Sequence, residues 1–429
     1  MYSKPKYSFK ISLKGDNVMK YFTVLFLVYT LLLNCGSEEL DTQRSYGKYG
    51  KDVNMELLSL EWTIGGENDQ HKEEFLLVKP RFMNVNHQGD ILVADEFRIK
   101  VFDNNGDEKK IVGRVGLGPA EFSRSHVPYL GPEGYLIVVD DVSTAFSSDF
   151  YKSRSELSNY YNLFTPDYTF IEKKRFVMGL RLEEYLQKEN IDSKYFVKIA
   201  KIIPLSKAEK VYEIELEDQQ PDADIKYYAV ILYENADTII PLLYTKLTES
   251  PNVLTPYPLG ELHWELLHNR KVIYVDSNED TYNEQTGSFY TIHLLSLDGQ
   301  EEKQIIREFT PVEYPESLTH PQIGKGASES FRRRMEQRAK AYRDKMYNPS
   351  IQRMKVDGNY AFMFTYVKND DNAILTDVLD LEAGKYVTSV YFQFIPAVIK
   401  SGYAYYITTD EKGFAEIMKY KINPAVYEK

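Results

Sequence analysis

Residues Lys79–Phe122 read KPRFMNVNHQGDILVADEFRIKVFDNNGDEKKIVGRVGLGPAEF. Short apolar or alternating runs, RFMNVN, ILVADE, IKVFD and KKIVGRVG, are separated by HQGD and NNGD. The Asn, Asp and Gly residues of those separators supply the left-handed and side-chain-capped geometries that reverse a chain within a few residues. Strand-like runs broken by turn residues about every 8–12 positions predict a four-stranded antiparallel meander.

The same order recurs. Tyr129–Phe176 holds YLGPEGYLIVVDD, a longer connection and YYNLFTPDYTFIEKKRF; Leu266–Phe309 holds LLHNRKVIYVDS and FYTIHLLSLDGQEEKQIIREF. Ile351–Phe392 holds IQRMKVDGNYAFMFTYV and ILTDVLDLEAGKYVTSVYF, and Lys201–Tyr244 is a poorer copy. Val398–Ile422, VIKSGYAYYITTDEKGFAEIMKYKI, stops one strand short. Repeats of about 40–50 residues with four strands each are the unit of a β-propeller. The fold expected is therefore all-β, a six-bladed propeller over residues 55–425. Glu56–Ile64, ELLSLEWTI, supplies the strand missing from the last blade, which closes the ring and removes an edge that would invite aggregation. Two insertions interrupt the meanders, Gly179–Phe196 with helical composition and a helix at about 326–347.

Composition agrees. The 35 Tyr and 22 Phe favour pleated, half-buried surfaces, and 43% hydrophobic with 27% charged residues is ordinary for a globular chain of 429 residues. A formal charge of −12 opposes nucleic-acid binding, which draws its affinity from a basic footprint. Cys35 is the single cysteine, so an intramolecular disulfide, a Cys-x-x-Cys redox pair and a thiolate zinc cluster are excluded.

The amino terminus reads as an address. Lys4, Lys6, Lys10, Lys14 and Lys20 precede the uncharged run Tyr21–Leu33, YFTVLFLVYTLLL, shorter than the roughly 20 residues that a spanning helix needs. The run ends Leu32-Leu33-Asn34-Cys35-Gly36-Ser37. This resembles a bacterial lipobox, with Leu three positions before the acylated cysteine; Asn34 and Leu33 depart from its usual small residues. The expectation is a signal peptide over 1–35, lipid attachment at Cys35, a flexible tether over 36–54 and a membrane-anchored position in the bacterial cell envelope. Met19-Lys20 would itself begin a compact signal of this type.

ILVADEFRIKVFDNNGD followed by GRVGLGPAEF resembles the NHL repeat, and the closing blade resembles that of uncharacterised six-bladed propeller lipoproteins of bacteroidete-type bacteria. The third unit lacks the Gly-Pro-x-Glu-Phe link. Gly113, Gly116 and Gly118 mimic part of a dinucleotide fingerprint, yet Pro119 and a following strand remove the helix N-terminus that a phosphate would need.

Asp95, Asp140 and Asp276 each close the second strand of a unit. They read as blade-turn hydrogen-bond acceptors or as axial carboxylates for a cation such as Ca²⁺, which takes six to eight oxygens. In the second insertion Phe331, Met335, Ala339, Tyr342 and Met346 form an apolar stripe. Arg332, Arg333, Arg334, Arg338 and Arg343 surround it, so the helix lies over the ring with its arginines in water or presents them to an anionic partner. The seven histidines form no metal-ligand spacing and are expected at surface or turn positions. No nucleophile-and-base motif appears. The function expected is a non-catalytic, envelope-anchored binding or scaffold propeller for a protein, peptide or glycan, with no cofactor and no nucleic acid; the alternative is an NHL-like hydrolase or lyase with an axial metal.

Overall fold

The computed structural model describes residues 41–45 and 57–428, apart from 68, 123–124, 142–159, 176–181, 190–195, 218–226, 248–261 and 284. Strands β1 (Asp41–Ser45) and β2 (Leu58–Gly65) come first. Blade 1 is β3 (Pro80–Val85), β4 (Ile91–Asp95), β5 (Arg98–Phe102) and β6 (Glu108–Val112), with β7 (Arg114–Val115) and β8 (Glu121–Phe122) in the link after it. Blade 2 is β9 (Ser125–Leu130), β10 (Leu136–Asp141), β11 (Tyr160–Phe164) and β12 (Phe170–Arg175), followed by helix α1 (Leu182–Lys188). Blade 3 is β13 (Phe196–Pro204), β14 (Lys210–Glu217), β15 (Tyr227–Glu234) and β16 (Ile239–Leu247). Blade 4 is β17 (Leu262–Leu266), β18 (Lys271–Asp276), β19 (Ser288–Ser296) and β20 (Glu301–Phe309), followed by α2 (Glu316–Thr319) and α3 (Glu329–Lys345). Blade 5 is β21 (Ile351–Asp357), β22 (Tyr360–Lys368), β23 (Ile374–Asp380) and β24 (Lys385–Phe392), and blade 6 contributes β25 (Val398–Lys400), β26 (Tyr403–Thr409) and β27 (Ala415–Ile422).

Strand order within each blade follows chain order, so every blade is an antiparallel meander. The sixth is completed by β2, with Leu58 opposite Ile422 and Gly65 opposite Glu416, as the unpaired Glu56–Ile64 segment predicts. The fourth gains a fifth, outermost strand, β1, inside the segment read from sequence as a tether. The first strands of neighbouring blades lie side by side around the axis, and β25 meets β3 where the ring closes.

The core is divided among the blade junctions. Leu92 and Ala94 pack with Leu136, Val138 and Phe164 between blades 1 and 2, while Ile91 and Val93 pack with Tyr405 and Ile417 between blades 1 and 6. Ile137 turns to the other neighbour and meets Ile202, Tyr212 and Val230 of blade 3, where Leu182, Tyr185 and Leu186 of α1 join it. Successive residues of a middle strand thus bury against opposite neighbours, so ILVAD and LIVVDD read as continuous apolar runs. The Gly-x-Gly-Pro-x-Glu-Phe link follows the same logic. Gly113 sits at φ 79°, and a Cβ there would stand 2.1 Å from the ring of buried Phe122, so the ring closes the blade 1–2 junction only over a glycine.

Candidate functional site

Antiparallel order gives the disc two distinct faces. On one, the turn face, first strands join second and third strands join fourth; the turns are 86–90, 103–107, 131–135, 165–169, 205–209, 235–238, 267–270, 297–300, 358–359, 381–384 and 401–402, none longer than five residues. The other, the loop face, receives the second-to-third connections and the links between blades. From β2 onward, every connection longer than five residues joins strand ends on this face: 66–79, 113–124, 142–159, 176–195, 218–226, 248–261, 277–287 and 310–350.

Exposed apolar side chains follow that division. Val78, Phe97, Val115, Leu117, Tyr282, Phe331, Met346 and Phe414 are large, exposed and carried by loop-face connections, with Leu117 at 75% and Val115 at 60% exposure. Leu60, Phe82 and Tyr244 are the remaining exposed large apolar residues, and they lie on strands. Among the described residues, the turn-face turns carry none. A cleft of about 580 Å³ opens on the loop face between Lys72, Glu73, Glu74, Leu76 and Val78 on one side and Glu96 and Arg98 on the other.

The three aspartates lie on second strands, one strand out from the axis. Asp95 is buried, accepts from the backbone N–H of Val78 (2.9 Å) and Lys79 (2.6 Å), and pairs with buried Lys100 at 2.7 Å. It pins the chain entering blade 1. Asp276 accepts from the Thr245 hydroxyl of blade 3 and, at 2.9 Å, from the Asn278 N–H. Asp140 lies on β10 opposite Tyr160, and its side chain is outside the described residues. The carboxylates of Asp95 and Asp276 are thus engaged by protein donors. Among the described residues, no group of three or more His, Cys, Asp or Glu side chains is placed to hold a metal ion.

Helix α3 starts on Ser328, whose hydroxyl accepts from the Phe331 N–H. Only the middle of its apolar stripe is covered. Ala339 and Tyr342 are buried, Tyr342 edge-on to Tyr314 with Leu318 alongside, whereas Phe331 and Met346 at the two ends stay exposed. The helix packs on α2 and its flanking residues, forming a small core separate from the blade junctions. Arg332 donates to the carbonyls of Gly324 (2.9 Å) and Lys325 (2.8 Å), and Arg343 to that of Thr319 (2.6 Å) and to Glu336 (2.7 Å). Arg338 lies over the Tyr342 ring, Arg333 points into solvent, and the Arg334 side chain is outside the described residues.

At the axis, side chains of one first strand reach main-chain groups of the next. Asn84 donates to the Pro128 carbonyl (2.9 Å), Tyr129 to Ala200 (3.1 Å), Lys201 to Trp264 (2.6 Å) and Lys355 to Ala397 (2.7 Å). His263 is hydrogen-bonded to the backbone of Ile351. These bonds satisfy main-chain groups on strand edges that have no ladder partner toward the axis. Burial pushes the His263 imidazole down to about 4, with the nearby Arg353 and Lys201 charges adding to the effect and the Ile351 bond opposing it.

His263 therefore corrects the expectation of surface or turn histidines, as do His126 and His293, which are also buried. His293 is held between Glu279 (2.7 Å) and Glu301 and stacks on Tyr274. Each buried imidazole has a polar partner, which makes burial tolerable. The axial set of Asn84, Tyr129, Lys201, His263 and Lys355 was missed by sequence reasoning. Its signal is one polar residue recurring within the first strand of successive units.

Cys35 and the apolar run before it lie outside the described residues, among which no helix is long and apolar enough to cross a membrane. No family model matches the chain, and no curated protein matches it. Among solved structures it is similar to a Bacteroides fragilis protein described as exported, with 10% identity over 90% of this chain and 99% of that one and a TM-score of 0.30. A DUF4221-family member from Bacteroides vulgatus aligns at 10% identity over 85% and 98%, with a TM-score of 0.42. An uncharacterised Listeria monocytogenes protein aligns at 10% identity over 70% and 78%, with a TM-score of 0.28. The six-bladed ring itself is read from this chain's own strand pairings.

Proposed function

We propose that the chain is an exported, Cys35-tethered binding propeller of the bacterial envelope, which holds a protein, peptide or glycan partner on its loop face and performs no chemistry on it. The observation that carries this reading is the confinement of connection-borne exposed apolar residues to the loop face, because large apolar side chains left in water on one face of a domain favour burial against a partner. Long connections gathered on a rigid ring are the usual means by which a scaffold presents binding groups. The tether rests on Lys20, the run Tyr21–Leu33 and Cys35.

The reading is tested with tagged wild type, Cys35→Ala and a Leu117→Ser, Phe331→Ser, Met346→Ser triple variant expressed in a bacterial host that processes lipoproteins. Wild type should sediment with membranes and retain a reproducible partner from envelope extract. Cys35→Ala should be released while still binding, and the triple variant should stay anchored while losing the partner. Partner retention by the triple variant would contradict loop-face binding, and release of wild type from membranes would contradict the tether. Loss of a measurable turnover on chelation would instead favour the metal-dependent hydrolase or lyase.

A further inference from the structure

Blade 6 carries a second cleft on the loop face. It has a volume of about 440 Å³ and opens between Thr63, Gly65 and Gly66 at the end of β2 and Glu416 and Met418 of β27, with residues 410–412 also lining it. Two glycines keep it open. Gly65 and Gly66 lie at φ 92° and 80°, and a Cβ on Gly66 would stand 2.6 Å from a Glu416 carboxylate oxygen. An aromatic wall adjoins the cleft. Met418 lies opposite both Thr63 and Tyr406 in the sheet, and the Tyr420 hydroxyl donates to the Met418 sulfur at 3.3 Å. Phe394, from the link before blade 6, stacks on Tyr406 with ring centres 4.2 Å apart and lies 5.3 Å from the Tyr420 ring. The three rings and Met418 are half-buried, and Leu60, opposite Tyr420, is exposed.

The charges of the cleft do not balance. Lys412 pairs with Glu67 at 2.5 Å, and Asp410 accepts from the backbone N–H groups of Glu67 (3.1 Å), Lys412 (2.9 Å) and Phe414 (2.8 Å). Glu411 and Glu416 have neither an ion pair nor a hydrogen bond among the described residues, and Glu416 is half-buried. A carboxylate partly withdrawn from water without a counter-charge favours a cation brought to it. Glu416 and Met418 are two residues apart on one face of β27, roughly 7 Å by strand geometry. That span matches an extended Lys or Arg side chain, whose stem packs on apolar surface while its head stays polar. A neutral sugar would use the rings and leave the carboxylates unmatched. We infer that this cleft takes a lysine or arginine side chain of a peptide partner, with the stem against Met418 and the aromatic wall and the charged head on Glu416. The inference rests on loop-face recognition and narrows the partner to a basic peptide segment.

Fluorescence anisotropy of the purified protein with a short labelled peptide of alternating lysine and alanine, at one matched ionic strength, tests the cleft. Wild type should bind this peptide saturably and should not bind the same peptide with its lysines acetylated. Glu416→Gln should weaken binding roughly tenfold, the size of one charge-assisted contact, and Glu416→Asp should keep most of it. Glu73→Gln, which removes the same charge from the cleft beside blade 1, should leave binding unchanged. Absence of saturable binding, equal binding of the acetylated peptide, binding unchanged in Glu416→Gln, or equal weakening by Glu73→Gln overturns the inference. So does displacement of the peptide by a neutral oligosaccharide. An envelope partner retained by Glu416→Gln but lost in the Leu117, Phe331, Met346 variant would overturn the cleft and leave loop-face recognition standing.

Discussion

On the turn face each blade is tied to the next by a specific contact. Asp90 of blade 1 accepts from Tyr168 of blade 2 (2.9 Å), and Gly131 of blade 2 lies against the Pro204 carbonyl of blade 3. Glu209 accepts from Arg270 (2.6 Å) between blades 3 and 4, and Lys303 donates to the Glu382 carbonyl (2.8 Å) between blades 4 and 5. Asp357 accepts from the N–H groups of Ser401 (2.6 Å) and Gly402 (2.7 Å) between blades 5 and 6, and Lys419 donates to Asn104 (2.8 Å) where the ring closes. The loop face instead spends its residues on long connections, an appended helical unit and uncovered apolar side chains. Blades are tied there too, Thr245 of blade 3 donating to Asp276 of blade 4, but among the described residues exposed large apolar side chains on connections occur on the loop face alone.

Substitutions that break the contrast should do so unequally. The largest effect is expected from Asp90→Ala. Asp90 is buried, pairs with Lys109 at 2.6 Å and accepts from Asn86 and Tyr168 at 2.9 Å, so its loss strands two buried donors. Urea unfolding should show a loss of about 3 kcal/mol. Gly131→Ala comes next, because its methyl would stand 1.5 Å from the Pro204 carbonyl oxygen; relief by a backbone shift should cost about 2 kcal/mol in the same assay.

On the loop face, Tyr342→Ala should cut helical ellipticity by melting α3, while the main urea transition moves by less than about 0.5 kcal/mol, since the Tyr314–Tyr342 core is separate from the ring. A main transition that moved with the helix would make α3 part of the ring and erase the distinction.

A further contrast between the axis and the loop face concerns pH, where two opposed shifts largely offset each other in the wild type. Folded His263 titrates near 4 against 6.5 for the free side chain, so the unfolded chain binds the extra proton between those values. Stability from this group is complete above pH 6.5 and declines as pH falls toward 4. Asp280, on the loop-face connection 277–287, is raised to about 6 by burial and has the opposite sign: its contribution weakens as pH rises from 3.8 through 6. His263→Gln should flatten the acid-side loss relative to wild type, and Asp280→Asn should deepen it. Identical pH–stability profiles for wild type and His263→Gln would contradict the buried, neutral imidazole.

Most of the ring was legible because its signals are local. Turn residues such as Asn86, Gly89, Asn104 and Gly106 mark strand ends, and ELLSLEWTI had no partner nearer in sequence than the last blade. Blade 3 was harder to read: its turn Leu205–Glu209 lacks glycine, and no Gly-Pro-x-Glu-Phe link precedes it. The axial groups were less legible still. Lys201, His263 and Lys355 are separated by dozens of residues, so one polar residue in each first strand is the trace they leave in the sequence, and their hydrogen bonds to neighbouring blades form only when the blades pack. The same holds for Asp90 and Tyr168, ordinary turn residues in sequence and a buried pair in the fold.

The most direct test places a photo-crosslinking amino acid at loop-face positions 117, 331, 346 and 414 and at exposed turn-face positions 105, 207 and 269 in the full-length protein, followed by irradiation of intact cells. Crosslinks to one common partner from the loop-face set, with none from the turn-face set, are predicted. Equal crosslinking from both faces, or crosslinking from the turn face alone, would contradict the assignment of recognition to the loop face.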